Sequence, residues 1–214
     1  MVFYFEPRGF GPGKNDWLIY VGKDKFENED LISYGLPMDV WFHVDDLSSA
    51  HVYLRLPEGG DFQDLPPDTL EDCAQLVKAN SIVGSKRATV DIVYTPWSNL
   101  KKTASMETGQ VSFHDAKLVK KISVTKSNDI VNRLNRTKKE LYPDLAQDRE
   151  AYDRTLRGQR KEAVQAQKKQ EKAAKAEAER QKDLRSYKHL MQDDQAAPKP
   201  PPAQSFQDYE DDFM

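Results

Sequence analysis

The sequence predicts an α+β fold, in which a mixed sheet with packed helices is followed by a long exposed helix and a disordered tail. Three observations favour this class. Short runs rich in β-branched and aromatic residues alternate apolar and polar positions in the first part of the chain. Amphipathic helical patterns lie between these runs. From Asp144 onward the chain is rich in Ala, Gln, Lys, Glu and Arg, which favour an exposed helix.

The first predicted elements are a pair of strands and a helix. Val2–Phe5 and Trp17–Val21 have strand character, and the Gly/Pro-rich segment GFGPGKN between them predicts a hairpin with a long loop. A helix is predicted near Lys25–Tyr34, because Gly35 and Pro37 supply a stop signal after its apolar residues. The stretch DVWFHVDDLSSAHVYLRL then predicts two strands around a short polar connection.

Helices and strands continue to alternate in the rest of the predicted domain. Pro66-Pro67-Asp68 opens a helix, whose apolar face recurs at helical spacing in Leu70, Cys73, Ala74 and Val77. Thr89–Tyr94 is a β-branched strand that ends before Pro96. The remaining predicted elements are strands at Val111–Phe113 and Leu118–Thr125 and a helix at Asn128–Leu141, which Pro143 ends.

The chain divides into three segments. Residues 1–142 form the predicted α+β domain, residues 143–190 a charged helical extension and residues 191–214 a disordered acidic tail. The extension lacks the a/d leucine seam of a strong coiled coil, and i,i+4 pairs such as Glu150/Arg154 favour an exposed helix of about 60 Å. The tail contains APKPPPAQ and DYEDD, a composition that does not form a packed core.

Charge and cysteine content limit the classes of function. The net charge of −3 hides a strong segregation, with 6 basic and 15 acidic residues in 1–85 against 12 basic and 4 acidic residues in 86–139. The basic block suits a polyanion such as nucleic acid, and the alternative is an ordinary solvated surface. Cys73 is the only cysteine, which fits a reducing compartment. No signal peptide or membrane-spanning stretch is recognisable, so a soluble protein of the cytoplasm, or alternatively the nucleus, is expected.

The stretch at 39–56 concentrates chemically active side chains on one side of the predicted sheet. Alternation places on the core side Val40, Phe42, Val44, Val52, Leu54 and Leu56. The opposite side carries Asp39, Trp41, His43, His51, Tyr53 and Arg55. Aromatic rings stack on bases, and guanidinium groups pair with phosphates. If this opposite side faces solvent, it is therefore predicted to form a platform for single-stranded nucleic acid. The alternative is that a helix covers this side, so that the rings pack inside and the histidines are structural.

Two further segments carry residues suited to nucleic acid. In YVGKDK, Lys23 and Lys25 flank the start of a helix, where phosphate is attracted; a solvated turn is the alternative. In YTPWSNLKK, a proline turn presents Trp97 in a polar loop, where it either binds or packs. The predicted roles are stacking for Trp41, Tyr53 and Trp97, phosphate neutralisation for Lys23, Lys25, Arg55, Lys101 and Lys102, and hydrogen bonding for His43 and His51.

The joint pattern of DVWFHVDDLSSAHVYLR and VYTPWSNLKK resembles the NFACT-R domain family. The resemblance covers nearly the whole chain and implies an α+β domain, proposed to bind RNA in a setting of ribosomes and tRNA, with DNA as an alternative. Large members use a separate N-terminal domain for much of their tRNA-related work, and no such domain is recognisable here, so peptide-tailing activity is not expected. The implied motif positions are Asp39, Trp41, His43, Ser49, His51, Tyr94, Pro96 and Asn99.

Catalysis is not expected. Asp39, His43, His51 and either Ser48 or Ser49 include the residue types of a hydrolytic triad, but no G-x-S-x-G elbow or Gly-rich oxyanion loop accompanies them. Two histidines and one carboxylate lack a metal-site spacing signature, so neither a metal nor a cofactor is predicted. The predicted partners are nucleic acid, RNA before DNA, and the ribosome or a protein bound through residues 144–190. A further alternative is a protein-interaction adaptor that uses this helix.

Overall fold

The computed structural model describes residues 1–8, 17–57 and 59–185, so the predicted loop GFGPGKN and the predicted tail at 191–214 lie outside the described residues. The helices are α1 (Lys25–Tyr34), α2 (Pro67–Ala79), α3 (Asn128–Arg136) and α4 (Leu145–Arg185). The strands are β1 (Val2–Phe5), β2 (Leu18–Gly22), β3 (Asp39–Val44), β4 (Val52–Arg55), β5 (Thr89–Pro96), β6 (Leu100–Lys101), β7 (Ser112–Phe113), β8 (Lys120–Thr125) and β9 (Lys139–Leu141). The predicted α+β class is confirmed.

Seven of these strands form one sheet in the order β8-β5-β3-β4-β2-β1-β9. Every pairing in this sheet is antiparallel, so the prediction of a mixed sheet is wrong. The register sets Trp41 opposite Tyr53 on β4 and His43 opposite Val93 on β5. The strands β6 and β7 form a separate two-stranded pair.

One face of the sheet, the core face, packs against α2 and α3. The predicted aliphatic side chains of β3 and β4 lie here, and Phe42, Val52 and Leu54 are fully buried. Cys73 and Val77 of α2 and Leu134 of α3 complete this core, as the helical spacing predicts. Burial of this apolar face is the main stabilising contribution to the domain.

The other face, the second face, is also covered. Helix α1 lies on it through Leu31, and the excursion at residues 97–118, which contains β6 and β7, lies on it through Phe113. The ring of Phe113 meets the ring of Trp41 edge to face, with 5.7 Å between centroids. Both faces of the central strands therefore face protein rather than water.

Helix α3 is shorter than the sequence predicts, and the prediction of a helix through Leu141 is wrong. The helix ends at Arg136, and the hydroxyl of Thr137 donates to the Leu134 carbonyl at 2.8 Å while it accepts from Glu6 N–H at 3.1 Å. The chain then pairs with β1 as the edge strand β9, which sets Leu141 opposite Val2. A contact with the distant N-terminal strand thus overrides local helix propensity.

Trp97 is a packing residue that fixes the end of α1. Its indole N–H donates to the Ile32 carbonyl at 2.9 Å, and its ring lies against the backbone of Gly35. The guanidinium of Arg149 lies 5.2 Å from the Trp97 ring centroid and donates to the Gly35 carbonyl. Of the two alternatives for Trp97, packing describes the structure.

The compact unit runs from Met1 to Thr155 and so extends past the predicted boundary at 142. It includes the first turns of α4, where Leu145 packs beside the buried cluster of the second face. The predicted pair of Glu150 and Arg154 is present at 3.0 Å. Residues 157–185 of α4 are exposed along their whole length. Within the described part of the chain, no helix is both long and apolar enough to cross a membrane.

We expect Gly35→Ala to destabilise the compact unit, because an added Cβ would lie 2.2 Å from the Trp97 indole nitrogen. Overpacking of this kind lowers the free energy of unfolding by about 1–3 kcal/mol. Urea unfolding followed by tryptophan fluorescence measures the effect. Gly158→Ala is the control, because its Cβ meets nothing within 4 Å. Equal unfolding midpoints for Gly35→Ala and the wild type would show that Trp97 is not held against this glycine.

Candidate functional site

The predicted platform is assembled as expected but faces inward. Trp41, Tyr53 and His51 share the second face with 2%, 0% and 8% of their surface exposed. Helix α1 and residues 97–118 cover them, so the prediction that these rings point outward together is wrong. The reason is tertiary, because strand alternation assigns side chains to a face but does not reveal what packs on it.

A hydrogen-bonded ring cluster forms the buried part of the motif. The indole N–H of Trp41 donates to Nδ1 of His51 at 2.8 Å, and His51 lines the same cleft as Gly109. His43 stacks on Trp41 at 5.4 Å between centroids, and its Nδ1–H donates to the Val44 carbonyl at 2.7 Å. Both histidines therefore make structural hydrogen bonds as neutral imidazoles.

Burial sets the protonation state of these histidines. Desolvation, reinforced by the neighbouring His43 and by Lys102, lowers the pKa of His51 to about 3. Desolvation also lowers the pKa of His43 below its ordinary value, against hydrogen bonds that raise it. Accepting a hydrogen bond from Trp41 requires an unprotonated Nδ1, which agrees with a neutral His51.

Asp39 and Arg55 form an ion pair within the fold. Two guanidinium nitrogens donate to the fully buried carboxylate at 2.9 and 3.1 Å, and the Leu36 N–H donates to it at 2.7 Å. Burial alone would lower the pKa of Arg55, but the hydrogen bonds and charge of Asp39 outweigh burial and raise it. The same guanidinium lies over the Tyr20 ring. Arg55 is thus paired with Asp39 within the fold, and its contact with phosphate stays a prediction.

The YTPWSNLKK segment is likewise mostly internal. Tyr94 lies in the core and stacks on Phe42 with 5.4 Å between centroids. Asn99 is buried, donates to Thr95 Oγ1 and the Asp115 carbonyl, and accepts from the Asp115 N–H. These bonds fix the excursion at 97–118 after β5 ends at Pro96. Tyr94 and Asn99 therefore position the backbone rather than present side chains to a ligand.

The two lysines of this segment differ. Lys101 is exposed. The ammonium of Lys102 donates to Glu29 Oε1 at 2.8 Å and to the carbonyls of Glu107 and Gln110 at 2.7 and 2.9 Å. Its three donor positions are occupied within the fold, and its role in neutralising phosphate stays a prediction.

One cleft of about 370 Å³ brings together five of the predicted residues, Lys23, Lys25, His43, Ser49 and His51. We call it the α1 cleft; it is lined by Gly22, Lys23, Asp24, Lys25, Asn28, His43, Ser48, Ser49, Ala50, His51, Thr108 and Gly109. Lys23 and Lys25 are exposed, and no ion pair of either ammonium occurs among the described residues. The hydroxyl of Ser49 accepts from Val44 N–H and donates to the Ala50 carbonyl, so it shapes the β3–β4 turn.

Helix α1 begins at this cleft, but its first amides are already used. The Asp24 carboxylate accepts from the N–H groups of Phe26 and Glu27 at 2.9 and 3.0 Å. The hydrogen bond from Glu27, followed by that from Phe26, lowers the pKa of Asp24. The lysines flank the helix start as predicted, yet an anion here would meet their ammonium groups rather than the amides.

The cleft also contains residues that the sequence did not assign to ligand binding, although Ser48 was weighed as a catalytic residue. Ser48 and Thr108 are exposed polar lining residues, and Gly109 adopts φ +83° in the turn that forms one wall. Glu29 of α1 accepts from Gly109 N–H, which ties this turn to the helix. The polar ETGQ segment signals a turn, but no sequence pattern reports its contact with α1.

The basic block at 86–139 is used largely within the fold. Its Lys102, Lys121, Arg133 and Lys139 pair with carboxylates of the acidic first segment, Glu29, Asp45, Asp72 and Glu6 respectively. This pairing accounts for part of the charge segregation without a polyanion. No group of three His, Cys, Asp or Glu side chains that could hold a metal ion occurs in residues 1–8, 17–57 and 59–185.

We expect the neutral state of His51 to make stability dependent on pH. The unfolded histidine titrates near pH 6.5, whereas the folded one titrates near pH 3. This group therefore stabilises the fold above about pH 6.5 and loses that contribution as the pH falls, by at most about 1.4 kcal/mol per pH unit. Urea unfolding between about pH 6.5 and pH 5 should show a smaller pH dependence for His51→Gln than for the wild type. Identical slopes would contradict the buried neutral imidazole.

Comparison with known proteins identifies relatives along most of the chain. A family model described as "NFACT protein RNA binding domain" matches residues 1–115. The chain is 53% identical over 192 residues to coiled-coil domain-containing protein 25 of Mus musculus, which covers 89% of this chain and 91% of the relative. It is 59% identical over 158 residues to the protein of the same name from Danio rerio, with 73% and 75% covered.

A solved structure shares the fold at lower sequence similarity. The C-terminal part of the fibronectin/fibrinogen-binding protein from Streptococcus suis matches with a TM-score of 0.50 and 20% identity. The match covers 64% of this chain and about half, 48%, of the solved chain, so it supports the fold alone. The family model and the curated relatives, by contrast, establish membership: the chain belongs to the NFACT-R family, whose model is described as an RNA-binding domain.

Proposed function

We propose that the chain is a non-catalytic nucleic-acid-binding protein that prefers RNA, and that the α1 cleft is its contact site. The observation that carries the proposal is the pair of exposed ammonium groups, Lys23 and Lys25, at a cleft whose floor contains the family motif residues His43, Ser49 and His51. The description of the matching family as RNA-binding supports the ligand class. The ribosome-related setting belongs to this proposal as well.

The lysines supply the electrostatic part of binding. Each ammonium that meets a phosphate releases a counterion, which contributes to affinity and makes it salt-dependent. Ser48 and Thr108 on the walls are exposed and carry hydroxyl groups, which donate and accept hydrogen bonds. Such groups are suited to the 2′-hydroxyl that distinguishes RNA from DNA. DNA binding at the same cleft is the alternative.

The hydrogen bonds of the motif support a role without catalysis. A hydrolytic serine needs a histidine base within hydrogen-bonding reach. Ser49 instead donates to the Ala50 carbonyl, and Nδ1 of His51 accepts from Trp41. The pKa of His51, lowered to about 3, is far from the value suited to a general base near pH 7, and burial lowers the pKa of His43 as well.

The proposal predicts the salt dependence of RNA binding. For a single-stranded RNA oligonucleotide, log affinity should fall linearly with log salt concentration in the wild type. Lys23→Ala combined with Lys25→Ala should weaken binding and reduce the slope by about 1 to 1.5, because about 0.7 arises from each phosphate contact. Fluorescence anisotropy titrations at several salt concentrations measure both quantities.

The matched control is Lys117→Ala combined with Lys126→Ala. It removes the same charge from exposed positions that do not line the cleft. Equal slopes for the cleft variant and the control variant would contradict the proposed site. A DNA oligonucleotide of the same sequence that binds as tightly as the RNA would contradict the RNA preference while leaving the site intact.

The exposed length of α4 favours a second role in docking to the ribosome. Residues 157–185 expose their side chains throughout, so no packing within the described residues explains this part of the helix. Deletion of 157–185 spares Leu145 and Arg149, which pack on the compact unit. We expect this deletion to reduce co-sedimentation with ribosomes and to leave the cleft's affinity for a short oligonucleotide unchanged. Unchanged co-sedimentation would contradict the docking role.

A further inference from the structure

Phe26 is an exposed aromatic residue beside the α1 cleft. It lies in the first turn of α1 and exposes 67% of its surface, whereas Trp41 and Tyr53 on the sheet below are buried. Burying a phenylalanine side chain contributes about 1.5–3 kcal/mol, so the fold forgoes most of that contribution at this position. Single exposed apolar residues are common on protein surfaces. Phe26 differs from them because it lies next to the charged groups of the cleft.

The ring is held next to a cleft-lining cation. The backbone N–H of Phe26 donates to the Asp24 cap at 2.9 Å, which fixes the first turn of the helix. The ammonium of Lys25, which lines the cleft, lies 5.3 Å from the Phe26 ring centroid, so the ring is next to a lining residue although Phe26 does not itself line the cleft. A flat apolar surface and a positive charge are therefore presented together.

The cleft has the size of a small ligand site. Its volume of about 370 Å³ lies near the lower end of the roughly 300–1,000 Å³ typical of ligand pockets. Its walls are the β3–β4 turn at Ser48 and the turn at Gly109, which Glu29 and Lys102 tie to α1. Such a space suits one nucleotide of a strand rather than a rigid duplex.

We propose that the α1 cleft receives one unpaired nucleotide, whose base stacks on Phe26 and whose phosphate meets Lys23 and Lys25. The ligand class is single-stranded RNA or an unpaired position within folded RNA. In a duplex both faces of each base are already stacked, so the ring has no base face to contact. This inference rests on the proposed function and adds to it the stacking residue and the conformational state of the RNA.

The test substitutes Phe26→Leu, which keeps an apolar side chain and good helix propensity but removes the aromatic face. Affinity for a single-stranded RNA oligonucleotide should fall on the order of tenfold, since stacking contributes about 1–3 kcal/mol per base. Affinity for the duplex of the same sequence should be unchanged. An oligonucleotide with one 2-aminopurine should lose fluorescence on binding the wild type and lose less on binding Phe26→Leu. Phe26→Trp should preserve both the affinity and the quenching.

Tyr142→Leu is the matched control, because Tyr142 is an aromatic residue with 80% exposure that does not line this cleft. If Phe26→Leu binds single strands with the affinity of the wild type while Lys23→Ala combined with Lys25→Ala lowers that affinity, the stacking inference is overturned and the proposed function stands. If neither variant weakens binding, both are overturned. An equal loss of affinity for the single strand and the duplex also overturns the inference, because it indicates that Phe26 contacts the RNA without distinguishing unpaired bases.

Discussion

The central constraint on this fold is that both faces of the central strands are buried. Polar groups on the second face therefore depend on partners inside the protein, since an unpaired buried group costs about 1–3 kcal/mol. Trp41 bonds His51, Tyr53 donates to Asn28 at 2.9 Å, and Arg55 neutralises Asp39. The family motif is thus first a set of mutually satisfied side chains that fixes how α1 and the 97–118 excursion lie on the sheet.

The cleft is a consequence of this arrangement. Glu29 accepts from both Lys102 and the Gly109 N–H, so it holds the turn at Gly109 beside the start of α1. His51 and Gly109 line the same cleft, so the buried ring cluster adjoins the cleft wall. Trp41 and Glu29 do not line the cleft, yet their hydrogen bonds to His51 and to the Gly109 N–H hold residues that do.

Local patterns were sufficient to predict most elements but not their exposure. The helix at Lys25–Tyr34 follows from its stop signal, and the division of β3 and β4 into two faces follows from alternation. Whether a face meets water depends on how α1 packs on the sheet and on residues 97–118, and the latter are distant in sequence from β3. The early end of α3 has the same origin, because β9 pairs with β1 from the opposite end of the domain.

The residues of the candidate site show the same limit of sequence-based prediction: their charge could be predicted, but their partners in the fold could not. Lys23 and Lys25 were predicted correctly as residues at a helix start, and both remain accessible. Arg55 and Lys102 carry the same charge but are committed to Asp39 and Glu29. Sequence alone does not separate a cation available to a ligand from one with an internal partner. Phe26 lies within the helix predicted at Lys25–Tyr34, and only its exposure in the structure indicates another role.

Charge distribution then determines what kind of recognition is possible. The basic block neutralises the acidic first segment through pairs such as Arg133 with Asp72, and the whole chain carries a net charge of −3. A broad positive field that captures any polyanion is therefore absent from the sequence as a whole. Two lysines in an acidic segment provide a local and modest attraction. Specific binding of a nucleic acid at this cleft would consequently depend on short-range contacts. The exposed ring of Phe26 beside the lysines is a group that can supply such contacts by stacking.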